Sequence, residues 1–132
     1  MRTRMTLAIV YDRPCVYKVD SVNLSGSAMT SHTNLISPRS LYARLASPDW
    51  RVVDCRFDLA DPDAGRRAYV EGHIPGALFV DLERDLSGPV SPDSGRHPLP
   101  HIGSIEKRLG ELGIDSSTNV VVYDWNSGRV AA

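Results

Sequence analysis

The run Arg67-Ala68-Tyr69-Val70-Glu71-Gly72-His73-Ile74-Pro75-Gly76-Ala77 constrains this chain more than any other stretch, because it concentrates backbone restrictions in a few residues. Gly72 and Gly76 can supply positive φ or close backbone approach, while Pro75 fixes its own φ and keeps Ile74 extended. Ala77-Leu78-Phe79-Val80 then reads as a buried strand running to Asp81. The chain therefore enters a sheet directly from a rigid corner.

Two further apolar blocks flank that corner. Trp50 to Phe57 reads as a strand and contains Val52-Val53-Asp54-Cys55-Arg56; Asn119 to Asp124 is another, centred on Val120-Val121-Val122-Tyr123. Ahead of both, Ser37 is an N-cap with Pro38 at the first helical position, and Leu41, Tyr42 and Leu45 share one face of a short helix ending near Ser47-Pro48. Asp61-Pro62-Asp63-Ala64-Gly65 forms a turn before a brief helix through Tyr69. Residues 86–103 hold so many Gly-Pro and Ser-Pro signals that they read as an ordered surface loop. Ser104 caps a helix through Leu112, with Ile105, Leu109 and Leu112 on its apolar face and Gly113 as its stop. Strands alternating with helices imply an α/β fold, a mostly parallel sheet with helices on both faces.

At 132 residues the chain is one domain at most, since single domains commonly run to about 100–150 residues. A hydrophobic fraction of 42% permits a core, and a net charge of −1 with interspersed basic residues gives no footprint for nucleic acid or an anionic membrane. No apolar run approaches the roughly 20 residues of a membrane span, and Tyr11-Asp12-Arg13 ends the N-terminal apolar run too early for a secretory core. Two distant cysteines, Cys15 and Cys55, are no disulfide framework, so a reducing cytoplasm is the expected setting. Residues 1–36 read differently from the rest. They are either a flexible extension or, up to residue 28, a segment ahead of a natural start at Met29.

The three blocks in order, with His73-Ile74-Pro75-Gly76-Ala77 in the middle, resemble the rhodanese (sulfurtransferase) family over residues 37–132, and more narrowly the N-terminal domain of its two-domain members. The resemblance implies a rhodanese-like domain incomplete at its C-terminus, with an exposed sheet edge and marginal stability alone. It also implies an activity of the whole protein: moving sulfane sulfur from thiosulfate or 3-mercaptopyruvate to cyanide or a thiol, without a cofactor, through a cysteine persulfide. That chemistry needs a thiolate in a loop whose backbone N–H groups and cations stabilise anions. In the family this loop follows the strand matching Val120 to Tyr123, and here the position is Asp124. A carboxylate cannot carry sulfane sulfur and would repel an anionic donor. The departure is typical of N-terminal rhodanese domains, whose C-terminal partner domain supplies the cysteine. The chain alone is then expected to be inactive, supporting the second domain and lining one side of a cleft through Arg96, Asp124, Trp125 and Arg129. From another class, a stand-alone, inactive rhodanese-like binding or regulatory module is the alternative.

Other chemistries fare worse. Cys55 lies in a strand with no glycine-containing loop behind it, which reads as a buried, inert thiol. The related phosphatases need an arginine six residues after the cysteine, where Cys55 has Asp61 and Cys15 has Ser21. His97 and His101 flank Pro98-Leu99-Pro100 but match no fixed metal-binding spacing, so no metal is expected. His73 reads as a buried imidazole orienting the corner, and Arg56 with Glu71 as an ion pair fixing the first long strand to it. Asp54 would serve the same corner by accepting backbone N–H groups, together with Gly72, Pro75 and Gly76 as a structural motif.

Overall fold

The computed structural model describes residues 36–125 and, by backbone alone, two short strands: β1 (Val10–Tyr11) and β2 (Cys15–Val16), paired antiparallel. The remaining elements are α1 (Pro38–Tyr42), β3 (Trp50–Asp54), α2 (Ala64–Glu71), β4 (Leu78–Phe79), α3 (Ile102–Glu111) and β5 (Asn119–Tyr123). The Met29 start and Arg129 lie outside the described residues, as does most of the 1–36 extension.

β3, β4 and β5 form a parallel sheet in the order β4-β3-β5. The apolar blocks of the sequence thus become adjacent strands, and β3 is central because it pairs with both others. Its register places Val53 beside Leu78 and Val122, and Asp54 beside Phe79 and Tyr123. Alternate side chains point to opposite faces. Trp50, Val52, Val121 and Tyr123 therefore pack with Ile36, Leu41 and Ala77 under α1, whereas Val53, Cys55, Val120 and Val122 pack with Val80, Ile114, Leu109 and Leu112 under α3. Helices cover both faces, as the near-continuous apolar strands require.

Ser37 caps α1 as its sequence predicts, its hydroxyl accepting from Ser40 N at 3.1 Å, with Pro38 at the first turn. Only five residues are helical, however, and Tyr42 is exposed rather than on the buried face with Leu41. The cap of α3 lies three residues before the predicted Ser104. His101 Nδ1 accepts from Gly103 N at 3.2 Å, so an imidazole performs the capping that the hydroxyl was expected to do. Gly113 ends that region at φ +69°, the left-handed conformation expected of a helix stop. Residues 86–101 are free of helix and strand, and Gly88 N donates to Pro98 O at 2.8 Å, closing the loop on itself.

The two glycines of the corner differ. Gly76 has φ +78°, which only glycine adopts without strain, but Gly72 is extended at φ 177° with no neighbour near its missing Cβ. The close approach falls instead at Gly65 in the first turn of α2, where a Cβ would sit 1.7 Å from Arg56 O. Gly65→Ala is expected to cost about 3 kcal/mol or more in urea unfolding, because the obstacle is backbone. Gly95→Ala, with nothing within 4 Å, should stay within about 0.5 kcal/mol.

Candidate functional site

The carboxyl ends of parallel strands are where open α/β sheets place their ligands, and here that edge is built around one carboxylate. Asp54 ends β3 and is fully buried. Arg56 follows two residues later; its Nε lies 3.0 Å from both Asp54 oxygens, its Nη2 donates to Oδ2 at 2.7 Å, and its backbone N donates to Oδ1 at 3.0 Å. Tyr123, in register with Asp54 across β5, donates its hydroxyl to Oδ2 at 2.6 Å and accepts from Ile74 N at 3.3 Å. Burial first, and then the adjacent carboxylate, push the Tyr123 hydroxyl pKa well upward, so it remains a proton donor.

Arg56 does not pair with Glu71. Its Nη2 instead donates to Gly72 O at 2.7 Å, so the expected tie between β3 and the corner exists but runs through a backbone carbonyl, and Glu71 is exposed. His73 is also exposed rather than buried. Its Nδ1–H donates to Tyr69 O at 2.7 Å and its ring stacks on Tyr69 at 3.8 Å, so it still orients the corner, from outside. Tyr69 in turn donates its hydroxyl to Ala77 O at 2.7 Å, holding the residue just ahead of β4. Pro75 and Gly76 occupy the exposed tip of this turn.

Cys55 is 5% exposed, and its thiol is pushed up to about 12, by burial first and then by the charges of Asp54 and Asp124. A thiol held that high is not a nucleophile at neutral pH. Asp124, at the position after β5, is buried beneath the same edge.

Of the cleft candidates, the structure brings Arg96 and Trp125 to one loop. Trp125 Nε1 donates to Phe57 O at 2.9 Å, and Arg96 Nη2 donates to Leu59 O at 3.1 Å. The Arg56 guanidinium lies over the rings of both Tyr123 and Trp125, with centroids 5.7 and 5.9 Å away.

A pairing that the sequence did not reveal lies beside them. His97 Nε2 is 3.3 Å from Glu83 Oε1, Arg96 Nη2 is 3.6 Å from the same oxygen, and the His97 ring meets Phe57 edge-on with centroids 5.5 Å apart. The carboxylate accepts, so Nε2 carries a proton and Nδ1 is the nitrogen able to take one. A carboxylate-held imidazole is an arrangement suited to moving protons. The partners lie fourteen positions apart across turn and loop, and no periodicity marks such a contact. Among the described residues no group of three or more His, Cys, Asp or Glu side chains could hold a metal ion, and no helix is long and apolar enough to cross a membrane.

The profile of the rhodanese-like domain matches residues 37–132. The chain belongs to the rhodanese-like family. A probable 3-mercaptopyruvate sulfurtransferase of Pseudomonas aeruginosa is 48% identical over 103 residues, covering 77% of this chain and 36% of that protein. The thiosulfate sulfurtransferase of Bos taurus is 36% identical over 87 residues, covering 64% of this chain and 28% of its own length. Among solved structures, 3-mercaptopyruvate sulfurtransferase from Leishmania major matches with a TM-score of 0.66 at 29% identity, over 73% of this chain and 26% of that one. This rhodanese-like chain thus spans about a third or less of the length of these relatives. Its open parallel sheet with flanking helices is the rhodanese fold.

The Cys55 environment has a measurable pH signature. A thiol whose pKa is higher in the folded than in the unfolded state keeps its proton on folding, so its contribution is complete below the unfolded value of about 9 and is lost as pH rises toward 12. Urea-unfolding free energy is expected to fall across that window, less steeply in Cys55→Ala. Iodoacetamide should leave the Cys55 thiol of the native protein unmodified at pH 7.5 and label it after unfolding; rapid native labelling at Cys55 would contradict the burial.

Proposed function

We propose that this chain is the N-terminal, cysteine-lacking rhodanese domain of a two-domain sulfurtransferase that moves sulfane sulfur from thiosulfate or 3-mercaptopyruvate to cyanide or a thiol. A C-terminal rhodanese domain of the same protein would supply the persulfide cysteine. The observation that carries this reading is the β5 exit. On this reading Asp124 stands where an active rhodanese domain would hold its cysteine; it is buried, and Cys55 is a protonated, inaccessible thiol.

The domain's contribution would be a prearranged edge at the carboxyl ends of β3 and β5. Trp125 and Arg96 would face the partner domain. His97, held by Glu83, would accept and return the proton of a sulfur-bearing donor or acceptor as sulfur changes hands. The similarity to 3-mercaptopyruvate and thiosulfate sulfurtransferases supports the substrate classes. A reducing setting, the cytoplasm, fits a free cysteine kept as a core residue.

Thiocyanate formation from thiosulfate and from 3-mercaptopyruvate is the test. The isolated chain is expected to give none. The protein extended in frame through a cysteine-bearing second domain should turn over, and His97→Ala should slow it by about tenfold or more. Turnover by the isolated chain that disappears in Cys55→Ser would overturn the assignment. An in-frame sequence without any such domain would leave the binding-module reading in its place.

A further inference from the structure

We propose that Phe57 is the positioning residue for His97, fixing the imidazole relative to the β5 exit; the proposal rests on the sulfurtransferase reading above. Phe57 lies just beyond β3 and is only 2% exposed, yet it is used from two sides. Its ring meets the His97 ring in a T-shaped contact at 89°. Its carbonyl accepts Trp125 Nε1–H at 2.9 Å. The residue before it, Arg56, lies under the Trp125 ring and is locked to Asp54, and the carbonyl of Leu59 beyond it holds Arg96. Phe57 therefore joins the imidazole to the segment leaving β5.

The histidine needs such a partner. Pro98 restricts the His97 backbone to extended conformations, but Glu83 is partly exposed and shared with Arg96, so a single contact at Nε2 leaves the ring free to swing about that hydrogen bond. The T-shaped aromatic contact removes that freedom, because such pairs prefer defined relative orientations and a buried aliphatic side chain imposes none. A displacement of about 1 Å at a proton-transferring group is enough to lower a rate strongly.

The test compares Phe57→Leu, His97→Ala and the double variant in the full two-domain protein. Phe57→Leu keeps an apolar side chain but removes the ring. We expect it to lower kcat about fivefold to twentyfold with KM within about twofold, and to have no further effect in the His97→Ala background, since residues acting through one another are non-additive. Histidine ring NMR signals give a readout independent of turnover. Those of His97 should shift in Phe57→Leu, while those of His73 and His101 stay in place. Equal losses in both backgrounds, or unmoved His97 signals, would overturn the proposal. If Phe57→Leu does not fold, Trp125→Phe, which keeps a ring over Arg56 but cannot donate to the Phe57 carbonyl, should show the same dependence on His97, and additivity would again count against it. Absence of turnover in the unsubstituted full protein would remove the functional reading, and this role with it; unmoved His97 signals in an active protein would remove the role alone.

Discussion

A charge buried at the end of the central strand sets the terms for the rest of this domain. Asp54 has no exposure to solvent, and an uncompensated carboxylate there would be costly by several kcal/mol. Arg56 meets it through both Nε and Nη2, its own backbone N–H adds a third donor, and the Tyr123 hydroxyl a fourth. The guanidinium then reaches Gly72 O, so one residue ties β3 to the end of α2 and to the corner that starts β4. Other ion pairs, Arg67 with Asp61 and Arg84 with Asp63, lie exposed on the surface, where such pairs contribute about 0–1 kcal/mol each. The buried cluster is therefore where substitution should matter.

The groups of this cluster are engaged within the fold. Arg56 is occupied by Asp54 and Gly72, and Cys55 beneath it is neutral and enclosed. Beside it, a further set of side chains is held by the loop after β3: Trp125 on Phe57, Arg96 on Leu59, and His97 against Phe57 and Glu83. These side chains belong to a chain of the rhodanese-like family that covers 36% of a probable 3-mercaptopyruvate sulfurtransferase of Pseudomonas aeruginosa.

Much of the fold was legible in the sequence because its signals are local. Val120-Val121-Val122-Tyr123 and Trp50 to Asp54 declare buried strands through continuous apolar character, and Ser37-Pro38 declares a helix start. The site was less legible because its contacts are set by tertiary geometry. Asp54 and Arg56 are two apart along a chain that leaves the strand between them, which lets the arginine fold back on its neighbour instead of reaching Glu71. His73 was expected inside, orienting the corner by hydrogen bonds, yet stacking on Tyr69 secures it from the surface. The His101 cap displaced Ser104 because an imidazole can accept a backbone N–H as a hydroxyl does. The Glu83–His97 pair joins segments across a coil and leaves no pattern to read.

The most direct test of this account is the unfolding free energy of Arg56→Ala beside that of Glu71→Ala. Removing Arg56 strands the Asp54 carboxylate in the interior, and the account predicts a loss of about 3–5 kcal/mol. Removing the exposed Glu71 should cost less than about 0.5 kcal/mol. A loss below about 0.5 kcal/mol for Arg56→Ala, or equal losses for the two variants, would contradict the claim that the buried Asp54–Arg56 pair holds this domain together.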